Sequence, residues 1–323
     1  MPRKTAAQLP SVAVIVPVFN EQAALPVFHP RLSAVLQALP NAYSITYVDD
    51  GSSDETPQIL QSLAAHDPEV HVVHLSRNFG HQAALTAGLD HAEGDVLITL
   101  DGDGQHPPEL IPEMLRLHAA GYDIIQTQRL DTARTSVFKR WTAGLFYALI
   151  NRIGDTRVQP GAADFRLLSR AAADGLRQMH ERHRFLRGMV SWMGFRTLIL
   201  PYEPTDRIAG ASKYSLRKMV RLALDAAFSF SLAPLWIGMS VGLVFFLLAL
   251  AEAAYVVSFW VRGQSDALAP GWSSLMFMLL IVGGVLTTLL GFIGIYVGYI
   301  FQETKGRPIY LTRPGALPPD ASE

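Results

Sequence analysis

From Val12 to Arg129 the chain alternates short apolar runs with longer mixed segments. The runs "VAVIVPVF" (12–19), "SITYVDD" (44–50), "VHVVHLS" (70–76), "DVLITLD" (95–101) and "YDIIQTQR" (122–129) are rich in β-branched residues and predict five strands. Between them "DETPQILQSLAAH", "HQAALTAGLDHA" and "PPELIPEMLRLHAAG" predict helices. The segment "EQAALPVFHPRLSAVLQAL" predicts a helical region interrupted near Pro26 and Pro30. Strands separated by helices of this length call for right-handed crossovers and a mostly parallel sheet, a Rossmann-like α/β architecture. Beyond Arg129 the alternation stops.

The last third reads differently. "LAPLWIGMSVGLVFFLLALAEAAYVVSFWV" (232–261) and "WSSLMFMLLIVGGVLTTLLGFIGIYVGYIF" (272–301) each exceed the roughly 20 apolar residues that cross a bilayer, so two transmembrane helices are expected. Arg217, Lys218 and Arg221 precede the first and Lys305, Arg307 and Arg313 follow the second, whereas the loop between them holds only Arg262. That bias places both termini in the cytoplasm, as in a multi-pass membrane protein of the cell inner membrane if bacterial. The organisation expected is a cytoplasmic domain over 1–214, an amphipathic juxtamembrane helix over 215–231, a two-helix anchor over 232–301 and a cytoplasmic tail over 302–323. A further segment, "SVFKRWTAGLFYALINRIG" (136–154), has an apolar stripe that suits either the sheet or the membrane interface.

Composition narrows the chemistry. The 323 residues contain no cysteine, which excludes disulfides, thiolate metal sites and a cysteine nucleophile. A net charge of −1 argues against a strongly basic nucleic-acid binder. The turn after the first strand, "PVFNEQ", has no glycine, so the dinucleotide fingerprint is missing.

Two strand ends are acidic. In "YVDDGSSDET" Asp49 and Asp50 close the second strand, where one carboxylate could accept from a base or ribose, and Asp54 suits a cap. In "LDGDGQHPPEL" Asp101, Asp103 and Gln105 end the fourth strand with hard oxygens spaced for one Mg2+ or Mn2+ ion. Gly102 and Gly104 would let the backbone approach a ligand. Carboxylates at strand ends of an open α/β sheet stand where ligands bind.

Taken in order, "VIVPVFNE", "VDDGSSDET", "LSRNFGHQAAL", "LDGDGQHPPEL" and "ADFRLLSR" resemble glycosyltransferase family 2. The segments "ERHRFLRGMVSWMGF" and "DRIAGASKYSLRKM", ahead of two apolar spans, resemble its polyprenyl-phosphate glycosyltransferases, which include dolichol-phosphate mannose synthase and bactoprenol glucosyltransferases. The resemblance implies a GT-A nucleotide-diphospho-sugar transferase domain followed by two transmembrane helices. It implies a nucleotide-sugar donor, with UDP-sugars favoured, and an undecaprenyl or dolichyl phosphate acceptor at the bilayer, in an enzyme that could form a homo-oligomer. Pro17, Phe19, Glu21 and Asp50 match the nucleotide-binding positions, with Asp101 and Arg129 also on the donor. Asp101, Asp103 and Gln105 match the metal site, and Arg207, Ser212 and Lys213 the loop that grips the acceptor phosphate. Asp103, Asp164, Arg207 and Lys213 are the catalytic candidates.

The chain departs from the usual D-A-D-L-Q-D-P-P run at Gly102, Gly104 and His106, and Ala163 stands where glycine is common, which leaves the turn near Asp164 open. His106 is expected to serve the helix start rather than the chemistry. The rival readings are a processive polysaccharide synthase, which lacks support without a Q-x-x-R-W signature, and a non-catalytic scaffold or flippase subunit, which the retained acids oppose.

Overall fold

The computed structural model describes residues 9–130, 162–182, 184–203, 233–263 and 271–313. The chain forms two compact units. One carries the sheet and takes in the chain from Arg307 onward; the other carries the two long C-terminal helices.

The first unit is built on a seven-stranded sheet. Its strands are β1 (Val12–Val18), β2 (Tyr43–Asp49), β3 (Val70–His74), β4 (Val96–Thr99), β5 (Ile124–Arg129), β6 (Ala162–Ser169) and β7 (Thr197–Tyr202), in the order β3-β2-β1-β4-β6-β5-β7. The crossover helices are α1 (Leu25–Gln37), α2 (Thr56–His66), α3 (His81–His91) and α4 (Ile111–Ala119), the last entered through a 3-10 turn at Pro108–Leu110. Two more, α5 (Arg170–Gln178) and α6 (Leu186–Trp192), follow β6. Every pairing is parallel except those of β6, which runs antiparallel between β4 and β5.

Alternation along β1 divides the core in two. Val12, Val14, Val16 and Val18 face Phe28 and Leu32 of α1, Leu60 of α2 and Met114 of α4. Ala13 and Ile15 face Leu85 and Leu89 of α3, Leu176 of α5 and Met189 of α6. All seven β1 residues are buried because both faces are covered, which is why the strand reads as an unbroken apolar run. Phe28→Ala would remove a wholly buried ring at a cost of about 3–5 kcal/mol.

Three expectations change. The α1 helix is continuous, with Pro26 in its first turn and Pro30 inside it. Pro26 costs nothing at a position whose N–H has no helical partner, and the buried Leu25, Phe28, Leu32 and Leu36 hold the helix across Pro30. Ala163 brings no turn, since β6 continues through it and Asp164, with a shift in its register against β5 at this point. The strands β6 and β7 lie beyond the point where the alternation stops.

The second unit contains α7 (Ala233–Val261) and α8 (Trp272–Thr304). At 1.5 Å per residue both exceed the roughly 30 Å hydrocarbon thickness. Gly238 of α7 packs on Leu289 of α8, where a Cβ would come within 2.3 Å of the leucine side chain. Two spans were expected; among the described residues one stretch, Ile281–Thr304, is long and apolar enough to cross a membrane. The juxtamembrane segment 215–231 and the segment 136–154 lie outside the described residues.

Candidate active site

The C-terminal ends of β1, β2 and β4 lie side by side, and their loops are tied together. The Asn20 amide donates to Ser52 Oγ at 3.0 Å and the Ser53 amide to Asn20 Oδ1 at 2.9 Å. The Glu21 amide donates to Thr56 Oγ1 at 2.9 Å, and Asp54 accepts from the amides of both Gln22 and Thr56. The N-cap of α2 is Glu55, without a side-chain capping bond, so Asp54 is not the cap the sequence suggests; it ties the turn ahead of the helix instead. Pro17 is buried at the end of β1, while the Phe19 ring is exposed beside it.

Asp49 and Asp50 are both buried and both engaged within the protein. Asp49 accepts from the Ser52 amide at 2.9 Å and meets His74 Nδ1 at 3.0 Å. Burial alone would raise its pKa, but His74 and Ser52 outweigh burial and hold it below the usual carboxylate value. Asp50 accepts from the Phe79 amide at 2.7 Å and the Gly80 amide at 2.9 Å. Here burial prevails over those two bonds, and the pKa is raised.

The β4 end is more open. The Asp101 amide donates to His106 Nδ1 at 2.9 Å, and the His106 ring is buried, stacked on Phe165 with centroids 5.3 Å apart. His106 thus shapes the turn that presents Asp101. Asp103 Oδ1 accepts from the Gln105 amide at 3.0 Å, and Arg129 Nη1 reaches Gln105 Oε1 at 3.4 Å. Gly102 packs against β1, where a Cβ would lie 3.0 Å from Val18 Cγ1, so its smallness serves this contact. The Asp101 side chain is 33% exposed, yet its buried Oδ1 has no hydrogen-bond partner among the described residues.

Beside it, on β6, Asp164 sits in a buried ionic cluster. Arg166 Nη2 donates to its Oδ1 at 2.5 Å, and Arg187 of α6 donates to both oxygens at 3.2 and 3.0 Å. His81 Nε2, at the start of α3, lies 3.4 Å from Asp164 Oδ2 and 3.5 Å from Asp101 Oδ1. Burial pushes the Asp164 pKa up, but Arg187, His81 and Arg166 overcome it and hold the carboxyl well below its ordinary range. Against desolvation of its ring, Asp164 and Asp101 raise the pKa of His81. Arg166 is wholly enclosed, and its Nη1 has no hydrogen-bond partner among the described residues.

Arg166, Arg187 and His81 were not singled out from the sequence. One signal was available: in "ADFRLLSR" Asp164 and Arg166 are two apart in an apolar strand, which puts both on one face, and a buried arginine needs a partner. Glu21 is partly buried and Arg129 ends β5, both at the loop ends that border the site. Arg207, Ser212 and Lys213 lie outside the described residues.

Among the described residues no three His, Cys, Asp or Glu side chains gather as a metal cage. The donor set nevertheless suits a hard divalent ion: the one-third exposed Asp101 carboxylate, the neighbouring Asp103 carboxylate and the Gln105 carboxamide offer oxygens of the kind magnesium and manganese take, leaving positions for water and phosphate.

Acidic residues thus end the neighbouring parallel strands β2 and β4 on either side of β1, the edge of an open α/β sheet where ligands bind. Sequence comparison gives the family. Residues 13–177 match the family "Glycosyl transferase family 2". The Shigella phage SfX protein named bactoprenol glucosyl transferase is 36% identical over 305 residues, covering 94% of this chain and 98% of the relative. The uncharacterized glycosyltransferase YkcC of Bacillus subtilis is 35% identical over 304 residues, covering 93% of each. The mannosyltransferase PcManGT from Pyrobaculum calidifontis, solved in complex with GDP-Man and Mn2+, covers 88% of each chain with a TM-score of 0.45 and 16% identity. The chain belongs to glycosyl transferase family 2 and has the Rossmann-like GT-A fold. Within that family it is a member of the polyprenyl-phosphate glycosyltransferases.

Proposed function

We propose that the protein transfers a sugar from a nucleotide-sugar donor, UDP-sugars being favoured, to a polyprenyl phosphate at the cytoplasmic face of the membrane, with inversion at the anomeric carbon. The product would be a polyprenyl-phosphate sugar for cell-envelope glycan or lipid modification. The observation that carries the reading is the β4 end, where the Asp101 carboxylate has one oxygen without a hydrogen bond, 3.5 Å from His81 of the Asp164–Arg187–His81 cluster.

Pro17, Phe19 and Glu21 would line the nucleotide pocket, with the exposed Phe19 ring offered to the base. Asp50 would serve the same pocket by fixing the wall made by Phe79 and Gly80. Asp101, Asp103 and Gln105 would hold Mg2+ or Mn2+, which when bound supplies positive charge to the donor diphosphate. Arg129, already at Gln105, would meet the same diphosphate.

A lipid phosphate is anionic at neutral pH, so its oxygen attacks the anomeric carbon without a side chain removing a proton. The new C–O bond forms as the bond to the diphosphate breaks, and that electron pair leaves with the nucleoside diphosphate. Asp164 suits this scheme: with a depressed pKa and two arginine partners it is a poor proton acceptor and serves to orient cations in the cleft. Arg207, Ser212 and Lys213 would hold the acceptor phosphate. We place two membrane crossings at α7 and α8, with both termini cytoplasmic, so that the lipid tail stays in the bilayer while its phosphate reaches the site.

The test is transfer by the full-length protein in detergent, with undecaprenyl phosphate, magnesium or manganese, and radiolabelled UDP- and GDP-sugars. Lipid-extractable label from one donor, lost with chelator, is expected; nucleotide binding without any lipid label would overturn the acceptor. Because the chain has no cysteine, single cysteines placed in the 264–270 loop and in the tail can be labelled with an impermeant maleimide to check the topology.

A further inference from the structure

We propose that the segment Tyr310–Arg313, which follows the last long helix, is a positioning element of the donor site. It is an extended stretch that clips the loop Ser76–Gly80 in place through a single antiparallel bridge and flanking hydrogen bonds. The inference rests on the nucleotide-sugar reading above.

The sheet ends at β3, whose outer edge would otherwise present unpaired backbone groups. Residues 310–313 cover the far end of that edge. Thr312 bridges Leu75 antiparallel, the Ser76 amide donates to the Leu311 carbonyl at 2.8 Å, and the Arg313 amide donates to the His74 carbonyl at 2.8 Å. Arg313 Nη2 also donates to the Ser76 carbonyl at 3.1 Å. Tyr310 packs against the cluster of Val48, Leu75, Ala84 and Ala87, and its hydroxyl donates to Asp90 of α3 at 2.9 Å. Just before it, Arg182 Nη1 donates to the Arg307 carbonyl at 3.1 Å.

What the clip holds leads directly to the site. Ser76 opens a five-residue loop whose backbone at Arg77 and Asn78 presses on Gly51, where a Cβ would come within 2.4 Å of Arg77. The same loop ends at Phe79 and Gly80, the two amides that Asp50 binds. His81, the next residue, reaches Asp101 and Asp164. The loop is therefore fixed at its far end by Asp50 and at its near end by residues that arrive from more than 200 positions away. A tie at one end alone would leave its amides and the His81 ring free to shift, at the expense of donor affinity.

The experiment uses full-length protein in detergent, with UDP and GDP as probes in the presence of Mg2+. Arg313→Pro removes both the amide bond to His74 and the side-chain bond to Ser76; Arg313→Ala removes only the second. Nucleotide affinity is expected to fall about tenfold in R313P and about threefold in R313A, the effect of one or two hydrogen bonds. Amide exchange at Phe79 and Gly80 should accelerate in the same order, while kcat at saturating donor changes less than about twofold. A peptide of sequence RPIYLTR, added to protein truncated after Gly306, should restore nucleotide affinity. Lower melting temperatures with unchanged nucleotide affinity per folded molecule and unchanged exchange at 79–80 would reduce the segment to a structural brace and overturn the proposal. Parent protein that binds neither nucleotide would refute the donor reading, and this inference with it. Equal binding by parent and both variants would refute this inference alone.

Discussion

The two acidic strand ends on either side of β1 look alike in sequence and are used differently. Asp49 and Asp50 at the end of β2 are each 3% exposed, and every contact described for them is internal: His74 and Ser52 for one, the Phe79 and Gly80 amides for the other. Asp101 and Asp103 at the end of β4 stand in a looser turn, and a buried oxygen of Asp101 goes without a hydrogen bond. A carboxylate satisfied by its own protein builds the pocket wall, whereas one kept partly unsatisfied keeps its charge for a ligand. The first pair should matter to stability and the second to chemistry.

The contrast is sharpest in activity. Asp101→Asn and Asp103→Asn should each lower kcat/KM by about 100-fold or more while leaving the melting temperature near that of the parent, measured by lipid-label transfer and calorimetric melting. Near-full activity in both would dissolve the distinction. Asp50→Ala should behave oppositely: it strands two amide donors and costs about 1–3 kcal/mol of stability, read as a lower first melting transition. A stable Asp50→Ala protein would show that water satisfies Phe79 and Gly80 equally well.

His106→Phe tests the turn behind the open pair. The ring stacking on Phe165 is kept but the acceptor for the Asp101 amide is lost, so about a fivefold drop in kcat with little change in donor KM is expected. The smallest effect concerns pH. The Asp164 pKa is held below its ordinary 3.8, so its contribution to stability is complete above pH 3.8 and drains away as pH falls below it. Melting curves of the parent should be insensitive to this group from pH 7 to 5 and steepen below about 4, and Asp164→Asn should flatten that acid limb.

Strands β1 to β5 were legible because each is a continuous apolar run punctuated by turn residues, and local pattern is enough to find such elements. The antiparallel β6 was not. It carries Asp164 and Arg166 inside an otherwise apolar stretch, and its place between β4 and β5 depends on partners 34 to 73 positions away. Pro30 misled in the other direction, because tertiary packing of Leu32 and Leu36 outweighs one missing hydrogen bond. At the site, Asp50, Asp101 and Asp103 announced themselves as acids at strand ends. The ion pairing of Asp164 with Arg187 and the bridging position of His81 arise only when α3, α6 and β6 converge, which no local pattern encodes.

The segment Tyr310–Arg313 also bears on the order in which the protein is made. During synthesis the sheet, both long helices and then this segment leave the ribosome in turn, so the end of the β3 edge stays bare until the residues beyond the last long helix have emerged. The loop that carries Phe79 and Gly80 would gain its second tie only after both long helices have emerged. A chain released before this segment is made would thus carry an uncovered strand end, the kind of surface that quality-control proteases and chaperones engage.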